Sequence, residues 1–165
     1  MRIKISSAPS IRQIEDVKIK AIGIEDSNQI AIFHATHQNS FFNHFGFALG
    51  ELDKWQELVL GSATDPNGVL MTFKSGELVG FCQCNDEYVI DNRGFINLLG
   101  VTLENDGTGI GEALLQTGVP YGITKGYDSV ELNVDTGNES GALKLYDKVG
   151  FKAESSWIQL HRPRI

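Results

Sequence analysis

Leu99-Gly100-Val101-Thr102-Leu103-Glu104-Asn105-Asp106-Gly107-Thr108-Gly109-Ile110-Gly111-Glu112-Ala113-Leu114-Leu115 is the stretch on which the reading of this chain turns. It begins at the end of an apolar run over residues 95–101, read as a strand whose one polar member is Asn97. It then crosses a loop with glycine at 107, 109 and 111 and enters a helix carrying Ala113, Leu114 and Leu115. A helix that starts among glycines brings bare backbone N–H groups close to an anion. Those unpaired groups and the positive end of the helix dipole favour phosphate there. Glu112 works mildly against this, because a first-turn carboxylate competes for the same positive end.

Spacing separates the phosphate readings. A P-loop needs Lys and then Ser or Thr after its last glycine, and Glu112-Ala113 fails that test. A dinucleotide fingerprint needs glycine where Glu112 stands and a loop directly after the strand, whereas Thr102-Leu103-Glu104-Asn105-Asp106 intervene. Glu131 does fall about 20 residues on, where an acidic ribose ligand would stand, so this reading is weakened rather than excluded. The diphosphate loop of a CoA-binding domain remains, beside a loop that merely turns tightly.

Working outward, Pro120 between Gly118 and Gly122 is expected to kink or loosen the helix. Val130, Leu132 and Val134 mark a strand whose other face shows Glu131, Asn133 and Asp135. Ala142, Leu145, Tyr146 and Val149 form one helical stripe that Gly150 ends, and the chain from Phe151 through Trp157 to Leu160 should return as strands. Upstream, residues 69–73 and 78–84 read as strands joined by a hairpin turn at Ser75-Gly76, and Asp65-Pro66-Asn67-Gly68 reads as a turn. Asp26 and Gln29 resemble a capping box opening a helix with Ile30, Phe33, His37 and Phe41 on one face. After an interruption at Asn43-His44-Phe45-Gly46-Phe47, a short helix over about 51–60 turns Leu52, Trp55 and Val59 inward. Residues 17–22 alternate as a first true strand. Ile3 and Ile5 alternate with Lys before Ala8-Pro9-Ser10 breaks the run, which predicts an N-terminal arm or edge strand over 1–16 and one α/β domain over 17–165.

With 165 residues the chain fits a single domain that can bury a core. No apolar run approaches the roughly 18 residues of a membrane span. Met1-Arg2-Ile3-Lys4-Ile5-Ser6-Ser7 opens with charge but continues into no apolar segment, so no signal peptide is expected. Lys and Arg number 14 against 21 Asp and Glu, a formal charge of −7 that argues against a nucleic-acid partner and slightly for a neutral or cationic one. Cys82 and Cys84, two apart on a strand, rarely close a disulfide, and a cytoplasmic protein is the expectation. His34 and His37 lie three apart on a helix without a third ligand at metal spacing, so no metal is expected. Phe41, Phe42, Phe45 and Phe47 read as core or as the wall of an acceptor pocket.

Leu99-Gly100-Val101 followed by the glycine loop is similar to the acetyl-CoA signature of GNAT N-acetyltransferases. Asn138-Glu139-Ser140-Gly141-Ala142-Leu143-Lys144-Leu145-Tyr146-Asp147-Lys148-Val149-Gly150-Phe151 closely resembles the segment that closes that family's active site. The likeness covers residues 69–156. Ser40-Phe41-Phe42-Asn43-His44-Phe45-Gly46-Phe47 more loosely resembles halves of tandem acetyltransferases of the mycothiol-synthase kind, and residues 1–16 lie outside it. The resemblance implies a single mixed, mostly antiparallel sheet flanked by helices. It implies that the main chain of Leu99 and Val101 pairs with pantetheine amides and that the backbone of Gly107, Thr108, Gly109, Ile110 and Gly111 holds the diphosphate of acetyl-CoA. Asn138 would hydrogen-bond the pantetheine arm, and Tyr146 would protonate the departing thiolate. The reaction implied is direct attack of a primary amine, on a small molecule or a peptide N-terminus, on the thioester. A strand N–H near Val101 would steady the carbonyl oxygen. A phenol of pKa about 10 lies just above a thiol and suits the leaving group. A homodimer is a further expectation, with no nucleic acid, membrane or metal involved.

Two departures stand out. Asp106 holds a place where the family usually has Arg or Gln, and residues 95–101 lack the Glu that members often use as a base. His44, Asn97, Glu131 and Asp135 therefore stand as acceptor-side candidates, beside a proton relay through solvent. Two other classes stay open: a catalytically inactive CoA-binding sensor or partner module, and a nucleotide-binding oxidoreductase domain, against which the glycine spacing speaks.

Overall fold

A computed structural model describes residues 1–4, 9–21, 26–42, 49–62, 64–135 and 141–156. Six strands are formed: β1 Arg2–Lys4, β2 Val17–Ala21, β3 Thr64–Lys74, β4 Glu77–Asn85, β5 Arg93–Val101 and β6 Ser129–Leu132. Four helices accompany them: α1 Ser27–Phe41, α2 Leu52–Val59, α3 Ile110–Thr124 and α4 Ala142–Val149. The strands build one sheet in the order β1-β6-β5-β4-β3-β2. Only β5 and β6 run parallel, so the sheet is mixed and mostly antiparallel, as the family resemblance implies.

Local chemistry accounts for several element ends. Asp26 caps α1 by accepting the Asn28 N–H at 2.9 Å, while Gln29 Nε2 reaches back to its other oxygen at 3.1 Å. Ser75 and Gly76, at φ 51° and 88°, make the two-residue turn between β3 and β4 whose left-handed pair matches strand twist. Gly150 ends α4 at φ 110°.

Two expectations are corrected. Asp65-Pro66-Asn67-Gly68 does not end a strand but lies inside β3, where the register steps from Thr64↔Asn85 to Val69↔Gln83. The Asn67 N–H folds back onto Asp65 Oδ1 at 2.8 Å, so the tetrapeptide is a bulge rather than a reversal. Pro120 sits inside α3, which continues to Thr124. Proline forgoes one backbone bond there, but Leu114, Leu115 and Val119 are fully buried beside it, each worth about 1.5–3 kcal/mol, and packing prevails over propensity. β6 stops at Leu132, short of Val134. Beyond Phe151 a single bridge pairs Lys152 with Arg2, and residues 157–160 lie outside the described residues.

The sheet separates two cores. On one face α3 and α4 cover Cys82, Cys84, Ile96, Val130 and Leu132. On the other, α1 and α2 cover Val69, Met71 and Phe81, with Phe33 and Trp55 meeting edge to face at 5.0 Å. His37 is buried in this second core against the rings of Phe41, Trp55 and Phe81, and burial together with His34 pulls its imidazole down to about 4.

The feature that shapes the functional end is in β5. Its register with β4 steps from Gln83↔Leu98 to Cys84↔Ile96, leaving Asn97 as an extra residue. Pairing with β6 ends at that point, at Ile96↔Leu132. The outer edge of β6 is taken by β1, and the Met1 ammonium just before it donates to the Leu132 carbonyl at 2.7 Å. Beyond Ile96, β5 runs on with β4 alone among the described residues, and the sheet opens.

Candidate active site

The opening is a cleft of about 540 Å³. One wall is the second half of β5; the other is formed by Asn133, Val134 and Asp135 after β6 and by α4, and the start of α3 closes one end. The Thr102 N–H donates back to Val79 at 2.9 Å, toward β4. Main-chain groups of an extended strand alternate in direction, so those of Leu99 and Val101 turn to the open edge. An open edge beside a cleft is a template for an extended, amide-bearing ligand.

The glycine loop follows a 3₁₀ turn at Leu103–Asn105. Thr108 Oγ1 donates to the Asn105 carbonyl at 2.6 Å, and Gly107 and Gly109 take φ 71° and 91°, which L side chains resist. Gly111 serves a different need: a methyl carbon there would lie 3.2 Å from Leu145 Cδ2, so its bareness lets α3 approach α4. The first N–H groups of α3, which a helix leaves without intrahelical acceptors, stand at the cleft's end. Asp106 turns its carboxylate onto the Gly107 N–H at 2.8 Å and so caps the loop.

Glu112 does not stand as a bare anion. Its carboxylate accepts Lys148 Nζ at 2.7 Å and Arg12 Nη1 at 3.1 Å, and the hydrogen bond from Lys148, seconded by Arg12, holds it below the usual carboxylate range. Neutralised twice over, it competes little for the dipole of α3.

Tyr146 lines the cleft from α4 at 9% exposure, and burial pushes its phenol up to about 12. Asn97 lines the opposite wall at the bulge, donating to Gln83 Oε1 at 3.0 Å. Glu131 is not part of the cleft lining. Arg93 Nη1 donates to it at 2.6 Å and Arg2 pairs with it as well. Burial raises its pKa, but these two partners prevail and hold it below the usual range. His44 and Asn138 lie outside the described residues. The cleft thus brings together Leu99, Val101, Gly107, Gly109, Ile110, Gly111, Tyr146 and Asn97, and also Asp135. Sequence reading missed Arg12 and Lys148, which also line it. Lys148 follows Tyr146 by half a helical turn and could have been found by position; Arg12 carries no local signal.

Residues 30–151 match the family described as the Acetyltransferase (GNAT) family, and the chain belongs to it. It is 35% identical to a mycothiol acetyltransferase of Thermobispora bispora over 91 residues, 53% of this chain and 30% of that one. The GCN5-related N-acetyltransferase from Sphaerobacter thermophilus superposes with a TM-score of 0.76 at 24% identity, covering 90% of this chain and 45% of that one. An aminoglycoside acetyltransferase from an uncultured soil metagenomic sample, solved in complex with sisomicin, gives 0.67 at 17% identity over 90% and 96%. These two likenesses show the fold. The chain spans less than half the length of the first two relatives. Among the described residues no helix is long and apolar enough to cross a membrane, and no three His, Cys, Asp or Glu side chains could hold a metal ion.

Proposed function

We propose that the chain is an N-acetyltransferase that moves the acetyl group of acetyl-CoA to a primary amine by direct attack. The observation that carries this reading is the free edge of β5 beside the glycine-rich start of α3, with Tyr146 on the facing wall. Acetyl-CoA would bring the thioester that the amine attacks. The Leu99 and Val101 main chain would hold the pantetheine amides as an added strand is held. Asn138 would bond the same arm. Because the Gly107 N–H is already bonded to Asp106, the diphosphate falls mainly to the amides of Gly109, Ile110 and Gly111 at the helix start. The Val101 N–H, on the open edge, would steady the carbonyl oxygen as it gains charge.

Tyr146, its phenol at about 12, keeps its proton at neutral pH. A free thiol has a pKa of about 8.5, so the phenol first steadies the leaving sulfur as a hydrogen-bond donor and gives up its proton only as the amine's own proton, passed through solvent, replaces it. β5 offers no carboxylate for that transfer. We assign it to solvent in the cleft, with Asp135 the carboxylate on the opposite wall. A small amine or a peptide N-terminus fits this chemistry, and a net charge of −7 favours a cationic acceptor. Two buried free thiols suit the cytoplasm as its setting.

Calorimetric titration with acetyl-CoA, with NADH as control, tests the first half of the reading. Saturable binding of acetyl-CoA alone supports it, and no binding sinks it. Tyr146→Phe then tests the second half: turnover on a found amine should fall by about 10²-fold with acetyl-CoA affinity within about twofold. Unchanged turnover refutes the role of the phenol. Binding without turnover on any amine leaves a CoA-binding module.

A further inference from the structure

The cleft has an unusual charge balance at its closed end. Asp106 and Glu112 place two carboxylates there, and Arg12 and Lys148 are the two cations among the described lining residues. Arg12 comes from residues 9–16, before the first core strand and outside the segment that matches the family. Yet its position is fixed. The Arg12 N–H donates to Gln116 Oε1 on α3 at 2.7 Å, Ile14 packs against the core beneath α3, and the Val17 N–H returns to the Ile14 carbonyl at 3.3 Å. The guanidinium lies flat on the cap of α3: a methyl carbon at Gly109 would sit 2.7 Å from Arg12 Cζ. One of its donors goes to Glu112, while its side chain lines the cleft and stays 48% exposed, and no acceptor among the described residues takes the rest of the fork.

We propose that Arg12, seconded by Lys148, grips the diphosphate of the acyl donor, and that Glu112 positions both cations for it. This rests on the acetyl-CoA reading above. The arm then supplies from another part of the chain the positive charge that Asp106 denies the loop, and the bareness of Gly109 makes room for the guanidinium as well as for the turn. Arg12 and Lys148 offset the two carboxylates of Glu112 and Asp106 at the helix start, and the diphosphate would engage the two cations through charge-assisted bonds.

Calorimetric titration of wild type, Arg12→Gln, Arg12→Lys and the double variant Arg12→Gln/Glu112→Gln with CoA, 3′-dephospho-CoA and pantetheine tests this. Arg12→Gln should weaken CoA and dephospho-CoA by about tenfold or more and leave pantetheine within about twofold. Arg12→Lys should keep part of the affinity, and removing Glu112 in addition should not restore it. Four results overturn the proposal: unchanged or tighter CoA binding by Arg12→Gln; equal loss for CoA and pantetheine, which marks a merely structural arm; loss for CoA but not dephospho-CoA, which moves the contact to the 3′-phosphate; and recovery in the double variant, which reduces Arg12 to neutralising Glu112. A wild-type protein that binds none of the three ligands refutes the acetyl-CoA reading itself, and this proposal with it.

Discussion

Replacing His37 with phenylalanine should make the protein less sensitive to mild acid. His37 is 8% exposed in the core beneath α1, ringed by Phe41, Trp55 and Phe81 at 4.9–5.8 Å. Burial, with His34 nearby, lowers its pKa from 6.5 to about 4. Below pH 6.5 the unfolded chain takes up a proton that the folded chain refuses, so stability falls as the pH falls, until about pH 4 where the folded form also protonates. Each pH unit inside that window removes about 1.4 kcal/mol, so the loss is about 2 kcal/mol at pH 5 and about 3 kcal/mol at pH 4. A phenylalanine fills similar space and has no proton to take. The assay is urea unfolding of both proteins from pH 7.5 to 4.5. Whatever fixed offset the new ring introduces, the difference between the two stabilities should move by about 2 kcal/mol between pH 7 and pH 5, in favour of the variant. Parallel curves across that range would refute the burial argument.

Glu131→Gln should destabilise the protein at pH 7 by about 1–3 kcal/mol, since Arg2 and Arg93 would lose their common carboxylate. The folded pKa of Glu131 lies below its ordinary value, so that contribution is fully present above about pH 4.5 and is lost as the pH falls through the folded value, and denaturant melts of the two proteins should draw together as the pH is lowered below 4.5. Gly68→Ala drives a methyl group into the Cys84 carbonyl and should lower stability by about 1–3 kcal/mol, read as a fall in Tm; an unchanged Tm would mean that the β3 bulge yields freely.

The parts of the fold legible in the sequence are those whose chemistry is local. Asp26 caps a helix with its own side chain, Ser75 and Gly76 turn a hairpin by their own dihedral angles, and glycines at 107 and 109 announce a loop by theirs. Asp65-Pro66-Asn67-Gly68 carries the same kind of signal and still lies within a strand, because β4 alongside decides whether β3 continues. The fit of α3 onto Cys82 and Cys84, where a methyl carbon at Gly118 would lie 3.1 Å from each sulfur, is likewise invisible to helix propensity. Glu131 stands at a spacing that suggested a ribose ligand, and two arginines from distant stretches claim it instead. Arg12 shows the limit most clearly, since its partners Glu112 and Gln116 lie about a hundred residues away.

The extra residue at Asn97 gives β5 something like a reading frame. Ile96 faces α3, as do Leu99 and Val101, while Leu98 and Gly100 face Phe81 and α1. Ordinary alternation would not put an even and an odd position on one side; the strand does so by skipping Asn97 in its count. Deleting Asn97 would therefore be silent for facing, with every later side chain keeping its side, and what it would remove is the distortion at which β6 lets go. Adding one ordinary residue would do the reverse, exchanging the two faces and turning the main chain of Leu99 and Val101 away from the cleft. How many residues β5 holds matters to this cleft as much as which ones they are.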